Sequence, residues 1–188
     1  GRSVAAEPLV RWDVLGAHSS IQTRGSRPNP ARPLAGVRVL DLTRVLAGPV
    51  ATRLLAQLGA AVLRVDPPWW DEPGVVPDVM LGKRSTRLDL REAEQRERFA
   101  ELLAGADILV HGYRPGALDS LDLGEAMRHD LAPGLIEVTL DAYGWAGPLA
   151  GRRGFDSLVQ MSTGIADAGM RLLGRDVPTP LPVQALDH

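Results

Sequence analysis

The sequence contains no cysteine in 188 residues, which excludes disulfide scaffolds, cysteine zinc sites, iron–sulfur clusters and thiol nucleophiles together. It also has no basic excess, because 21 lysines and arginines face 23 aspartates and glutamates. A chain without a basic field is poorly suited to duplex DNA. No apolar run approaches the roughly 18 residues of a membrane helix, and the opening residues lack the apolar core of a secretory signal. We therefore expect a cytoplasmic protein with no membrane or nucleic-acid partner.

The composition and the hydrophobic pattern of the chain change near residue 33. Residues 1–32 are rich in Ser, Gly, Pro and Arg without apolar periodicity, so we expect a linker or an extended arm there. Residues 33–188 alternate short β-branched runs with helical patterns. Strands are predicted over residues 37–42, 61–65, 85–90, 108–110 and 135–140, and helices after the first strand, over 93–104 and near 155–162. This alternation predicts an α/β domain of the Rossmann-like class, an open parallel sheet with helices on both faces.

Several motifs of common enzyme classes are absent. The chain has no G-x-G-x-x-G fingerprint, no G-x-x-x-x-G-K-[ST] phosphate loop and no G-x-S-x-G elbow, which disfavours NAD, ATP and serine-hydrolase chemistry. The histidines lack metal-ligand spacing, so we predict no metal. They are His18, His111, His129 and His188.

Two loops follow predicted strands and so lie at the edge of the sheet where such domains bind ligands. Residues 44–49, Arg-Val-Leu-Ala-Gly-Pro, follow the first strand, although alone they are best explained as a helix-initiating turn. Residues 111–116, His-Gly-Tyr-Arg-Pro-Gly, carry an aromatic ring and a guanidinium that could stack a base and bind a phosphate, although this pattern is more often a plain turn. The proline-rich residues 67–82 are a candidate lid or pocket wall.

Five aspartates are candidates for carboxylate chemistry, and each could instead cap or solvate a turn. They are Asp41, Asp66, Asp141, Asp156 and Asp187. Spacing alone does not choose among them.

Five blocks stand in a specific order: PLAGVRVLDLTRVLAGPVATRLLAQLGAAVLRVDPP, GKRSTRLDL, GADILVHGYRPGALDSLDLG, GWAGPLAGRRGFDSLVQMSTG and PVQALDH. Over residues 33–188 the chain resembles the family III CoA-transferases, which include formyl-CoA and carnitine CoA-transferases and the alpha-methylacyl-CoA racemases. The resemblance implies a Rossmann-like, CoA-binding large domain within an interlocked homodimer. Members of this family extend well beyond such a segment, so the chain looks like the amino-terminal part of the unit.

The resemblance also implies an enzyme that moves CoA between an acyl-CoA and a small carboxylic acid through a covalent aspartyl intermediate. The family aspartate stands in a short motif before a helix, and Ala185-Leu186-Asp187-His188 matches that position. Asp187 is therefore the predicted nucleophile. Without the family, a plain helix cap would be the better explanation of Asp187.

Three patches match the family's CoA-binding positions. Val45, Leu46 and Ala47 match the loop beside the thioester and pantetheine arm. Lys83, the only lysine in the chain, and Arg84 match a basic pair near the nucleotide phosphates, with an ordinary solvated charge pair as the alternative. The third patch packs on the adenosine and its phosphates, with Arg114 as the charge partner; it consists of Gly112, Tyr113, Arg114 and Ala117.

One position departs from the racemase pattern. Racemases carry a histidine base inside the Gly-x-Asp motif, which here reads Gly154-Phe155-Asp156. An aromatic residue at this position is similar to the transferases and favours CoA transfer. The alternatives are a racemase-like enzyme and a non-catalytic CoA-binding half or degenerate copy.

Overall fold

The computed structural model describes residues 8–14 and 29–187. These residues form two compact units, one of residues 29–140 and one that joins residues 8–14 to residues 141–187. Most of the predicted arm over residues 1–32 lies outside the described residues, and residues 8–14 contain no helix or strand. Within the described part of the chain, no helix is both long and apolar enough to cross a bilayer.

Five parallel strands build the first unit. They are β1 (Arg38–Asp41), β2 (Ala61–Asp66), β3 (Arg84–Arg87), β4 (Ile108–His111) and β5 (Ile136–Thr139). The spatial order is β3-β2-β1-β4-β5, with every neighbouring pair parallel. The chain runs outward from β1 first to one side and then to the other, so the topological switch point lies between β1 and β4. In such sheets this is where ligands bind, beyond the carboxyl ends of the strands.

Helices cover both faces of this sheet. They are α1 (Ala47–Gln57), the short α2 (Val76–Val79), α3 (Ala93–Ala104) and α4 (Glu125–Leu131). Adjacent residues of β1 point to opposite faces, and Leu40 packs in one buried cluster with Phe99 and Leu103, whereas Val39 packs in another beside Leu55. The predicted α/β class, the parallel sheet and the two covered faces are confirmed.

The second unit is helical. It contains α5 (Asp156–Thr163) and α6 (Ile165–Leu172), separated by Gly164 in a left-handed conformation, and a 3₁₀ turn over Ala185–Asp187. Thr179 lies against α6, where its carbonyl would come within 2.2 Å of a Cβ at Gly169. Only glycine permits this close approach of the returning chain.

Candidate functional site

The loop between β1 and α1 contains an unusual backbone conformation at Val45. Its φ is +68°, in a left-handed region that a β-branched residue rarely adopts. The turn that follows is tight, because an added Cβ at Gly48 would lie 2.3 Å from the Cβ of Thr43. Gly48 therefore lets α1 begin directly against the end of β1. Leu46 and Ala47 are half-buried beside this turn.

A largely buried carboxylate holds the strained residue in place. The Val45 N–H donates to Glu72 Oε1 over 2.7 Å, and Arg64 Nη2 lies 2.6 Å from the other Glu72 oxygen. Arg64 also pairs with Asp66 at 2.7 Å, and its side chain is 1% exposed. Burial opposes the charge of Arg64, but its hydrogen bonds to Glu72 and Asp66 outweigh that effect and raise its pKa. We call Arg64, Asp66 and Glu72 the Val45 clamp.

Arg44 connects the loops that follow three strands. Its guanidinium carbon lies 4.9 Å from the centre of the Trp70 ring and 5.7 Å from that of Tyr113, and Nη2 donates to the Tyr113 hydroxyl over 3.1 Å. Burial raises the pKa of Tyr113, against the opposing effect of the Arg44 charge. Sequence reasoning placed Arg44 inside a motif but gave it no role, since nothing in the sequence indicates which aromatic rings surround it.

Lys83 lies inside the protein. Its ammonium, with a side chain that is 0% exposed, donates to Asp41 Oδ2 at 2.9 Å, Pro49 O at 2.8 Å and Thr52 Oγ1 at 2.6 Å. Burial lowers the pKa of Lys83, partly offset by the Asp41 charge. All three ammonium hydrogens thus have internal acceptors, so this placement does not favour the predicted phosphate contact. The alternative of a solvated charge does not hold for Lys83, because its side chain is buried, whereas the neighbouring Arg84 is exposed.

The loop after β4 presents the third predicted patch. Gly112 and Arg114 are exposed, whereas Tyr113 and Ala117 are half-buried. Tyr113 N–H lies 3.3 Å from Nδ1 of His111, the last residue of β4. Of the residues predicted from the sequence, Tyr113 and the Val45 loop are thus brought to one place, through Arg44.

A buried charge cluster holds the base of this loop. His111 Nε2 lies 3.0 Å from Glu137 Oε1, and Arg128 Nε donates to Glu137 Oε2 over 2.9 Å. Burial raises the pKa of Glu137, but the hydrogen bonds from His111 and Arg128 exceed that effect and lower it to about 2. Glu137 therefore ties β5 to β4 and α4 as a carboxylate.

Asp187 belongs to the second unit and is half-buried in the 3₁₀ turn Ala185–Asp187. The N–H of its neighbour Leu186 donates to Asp156 Oδ2 over 2.7 Å, and the N–H of Leu181 donates to Gln160 Oε1 over 2.7 Å. Asp156 is itself buried and accepts a hydrogen bond from Gln160. Two polar side chains of α5 thus fix the segment that carries Asp187.

The other candidate aspartates have partners that explain them. Asp41 pairs with Lys83, and Asp66 pairs with Arg64. Asp141 accepts the N–H of Tyr143 over 2.9 Å and so caps a turn. Across residues 8–14 and 29–187, His, Asp and Glu form no group of three or more that could hold a metal ion.

Comparison with known proteins places the chain in a family. Residues 34–188 match CoA-transferase family III. The probable fatty acyl-CoA transferase Rv3272 of Mycobacterium tuberculosis is 33% identical over 180 residues, covering 85% of this chain and 44% of the relative. Human succinyl-CoA:glutarate CoA-transferase is 35% identical over 150 residues, covering 73% of this chain and 34% of the relative.

Solved structures agree with these relatives. A crystal structure of Rv3272 superposes with a TM-score of 0.74 at 34% identity, over 85% of this chain and 47% of that one. A CAIB/BAIF family protein from Brucella suis superposes with a TM-score of 0.68 at 30% identity, over 84% of this chain and 45% of that one. The chain spans less than half the length of these relatives. It belongs to CoA-transferase family III.

Proposed function

We propose that the protein containing these residues transfers coenzyme A between an acyl-CoA and a carboxylic acid, with Asp187 as the covalent nucleophile. The family match over residues 34–188 carries this proposal. The relatives named above include a succinyl-CoA:glutarate CoA-transferase, so a thioester and a free acid are the substrate classes to test. As the family resemblance implies, we further propose a cytoplasmic homodimer.

The proposed reaction splits one difficult exchange into easier steps. The Asp187 carboxylate attacks the thioester carbonyl, which forms a mixed anhydride and releases the CoA thiolate. The thiolate then attacks the Asp187 carbonyl of the anhydride, which gives an aspartyl-CoA thioester and releases the first acid as its carboxylate. The acceptor carboxylate repeats these two steps in reverse, so that a new acyl-CoA leaves and Asp187 is regenerated.

The segment around Asp187 is suited to a nucleophile that must be held in position. Asp156 and Gln160 fix the backbone at Leu186 and Leu181 through hydrogen bonds, so the turn bearing Asp187 is anchored on α5. Phe155, which is 57% exposed, offers no proton-transferring group at the racemase position. This favours transfer over racemisation.

For CoA, the proposed contacts are Val45, Leu46, Ala47, Arg84, Gly112, Tyr113, Arg114 and Ala117. The exposed guanidinium groups of Arg84 and Arg114 are suited to the phosphates. The Val45 loop offers a fixed backbone for the pantetheine arm. Lys83 is left out of this set, because its ammonium is enclosed by internal acceptors.

Substitution of Asp187 tests the mechanism in the full-length protein. Asp187→Ala and Asp187→Asn abolish transfer, because neither side chain can attack the thioester, while CoA binding measured by calorimetry is retained. Incubation of the wild type with acyl-CoA and hydroxylamine gives a hydroxamate at Asp187, detected by mass spectrometry.

The matched control is Asp141→Asn, an exposed turn cap whose amide oxygen can still accept the same N–H. It keeps its activity. Transfer by Asp187→Ala, or a hydroxamate at another aspartate, contradicts the assignment of the nucleophile. NAD binding as tight as CoA binding contradicts the proposed function itself.

A further inference from the structure

Among the described residues, the guanidinium of Arg44 has no carboxylate partner. Arg64 and Lys83, two other cations of the first unit, each lie 2.9 Å or less from a carboxylate. Arg44 instead faces two aromatic rings and one hydroxyl, and no carboxylate of residues 8–14 or 29–187 pairs with it. Aromatic faces attract a guanidinium but do not accept its N–H groups as strongly as an oxyanion does.

Within residues 8–14 and 29–187, two buried donors at this position have no hydrogen-bond acceptor. They are Arg44 Nε and Trp70 Nε1, each shielded from solvent and without a hydrogen-bond partner in the described part of the chain. A buried donor without a hydrogen-bond partner is unfavourable, so two of them on contacting side chains favour the binding of an external acceptor. The two side chains come from the loops after β1 and β2, at the carboxyl edge of the sheet.

A carboxylate has the acceptor chemistry that these donors lack. The planar guanidinium fork matches the two oxygens of a carboxylate, and the Trp70 ring is already in contact with that fork. Arg44 directly precedes Val45, whose loop we propose lies beside the thioester. The phosphates of CoA have the exposed Arg84 and Arg114 as partners in our proposal.

We propose that Arg44, with the indole N–H of Trp70, binds the carboxylate of the acid that takes up or releases CoA. This inference rests on the proposed function and adds the substrate's anionic group to it. Tyr113, which accepts from Arg44 Nη2, holds the guanidinium in place from the opposite loop. The alternative source of an anion is a CoA phosphate, and the experiment below separates the two.

The test measures steady-state kinetics of the full-length protein with acetate, succinate and glutarate as acceptor acids. Arg44→Gln raises KM for the acid roughly tenfold or more, since a charged hydrogen-bonding partner is lost. Arg44→Lys gives a smaller increase, because lysine keeps the charge without the fork. Trp70→Phe keeps the ring and loses one neutral donor, so KM rises roughly two- to tenfold. KM for the acyl-CoA stays unchanged in all three variants.

Calorimetry provides a readout that does not depend on turnover. Wild type binds the free acid alone, Arg44→Gln does not, and both bind CoA equally. The control is Arg98→Gln, since Arg98 forms an exposed ion pair on α3. This substitution changes the affinity for neither the free acid nor CoA. Thermal unfolding of each variant checks that it folds; if Arg44→Gln does not fold, Arg44→Lys and Trp70→Phe decide.

Two results overturn the carboxylate site: an unchanged KM for the acid in Arg44→Gln, or a loss of CoA affinity with unchanged acid binding, which would assign a phosphate to Arg44. If the wild type binds the acid, Arg44→Gln does not, and the wild type transfers no CoA, the proposed function is contradicted but the carboxylate site at Arg44 is supported.

Discussion

At Val45, the free-energy cost of the strained backbone is similar in size to the stabilisation by its hydrogen bond to Glu72. A β-branched residue at a φ of +68° stores of the order of 1–3 kcal/mol. A hydrogen bond from an amide to a charged acceptor contributes roughly 1.5–3 kcal/mol, and Glu72 supplies such a bond over 2.7 Å. The carboxylate can therefore hold the loop in its strained form. Removing it leaves the strain uncompensated.

Substitution of Glu72 and Val45 tests this balance in the full-length protein. Glu72→Ala lowers kcat/KM for acyl-CoA roughly tenfold and speeds hydrogen exchange of peptides that cover residues 44–47. Glu72→Gln lowers kcat/KM for acyl-CoA less than Glu72→Ala does, because its amide oxygen still accepts a hydrogen bond from the Val45 N–H. In a Val45→Gly background, Glu72→Ala lowers kcat/KM for acyl-CoA by a smaller factor, because glycine adopts positive φ without strain.

Glu101→Ala is the matched control, since Glu101 forms an exposed ion pair on α3, and it changes neither readout. If Glu72→Ala has the same effect in both backgrounds, Glu72 does not act through the Val45 backbone.

Contacts between residues that are far apart in the sequence could not be predicted for the candidate site. The Arg-Val-Leu-Ala-Gly-Pro loop could be placed at the binding edge, because it directly follows a strand. The Val45 clamp could not be predicted, because Glu72 reaches Val45 across 27 positions. The same limit explains the expectation for Lys83, whose acceptor Asp41 is 42 positions away. Lys83 was predicted to contact the nucleotide phosphates, with a solvated charge as the alternative, because its partner Asp41 cannot be identified from the local sequence.

Among the elements, local periodicity predicted most of the sheet. The parallel arrangement followed from the strand–helix–strand pattern over residues 37–65, since a short crossover with a helix joins parallel strands. The third strand covers Arg84–Arg87 rather than residues 85–90, because its pairing with β2 ends at Arg87. The proline-rich residues 67–82 contain the one-turn helix α2, which no periodicity indicated.

The junction of β4, β5 and α4 predicts a dependence of stability on pH. The pKa of Glu137 is about 2 in the folded protein against an ordinary 4.5. A lowered folded pKa means that Glu137 stabilises the fold fully above about pH 4.5 and loses this contribution as the pH falls towards 2. The difference corresponds to about 3 kcal/mol.

Glu137→Gln removes this dependence. At neutral pH the variant unfolds at a lower temperature than the wild type, and the gap between their midpoints narrows as the pH falls to about 3. Calorimetric unfolding of both proteins across this range measures the gap. Glu101→Gln, whose ion pair is exposed, shows no comparable narrowing. A gap that stays constant with pH would mean that Glu137 is not the group that titrates.

On the scale of the whole molecule, the second unit exposes many large apolar side chains. Leu172 is 86% exposed, and further exposed residues of the same unit are Leu158, Met161, Leu173, Val177, Val183 and Leu186. A concentration of large exposed apolar side chains in one unit is typical of an interaction surface. The chain spans less than half of its relatives, and we propose that the remainder of the protein and a second subunit cover these side chains.

The 188-residue chain on its own should therefore self-associate through α5 and α6, which light scattering detects as a mass above that of one chain. Leu172→Glu lowers this mass, because it places a charge on the most exposed apolar side chain of α6. Gln57→Glu adds the same charge at an exposed position of α1 in the other unit and leaves the mass unchanged. Unfolding midpoints of both variants match that of the parent chain, since neither position is buried. A parent chain that remains monomeric, or an equal effect of the two substitutions, would show that the exposed face of the second unit does not drive association.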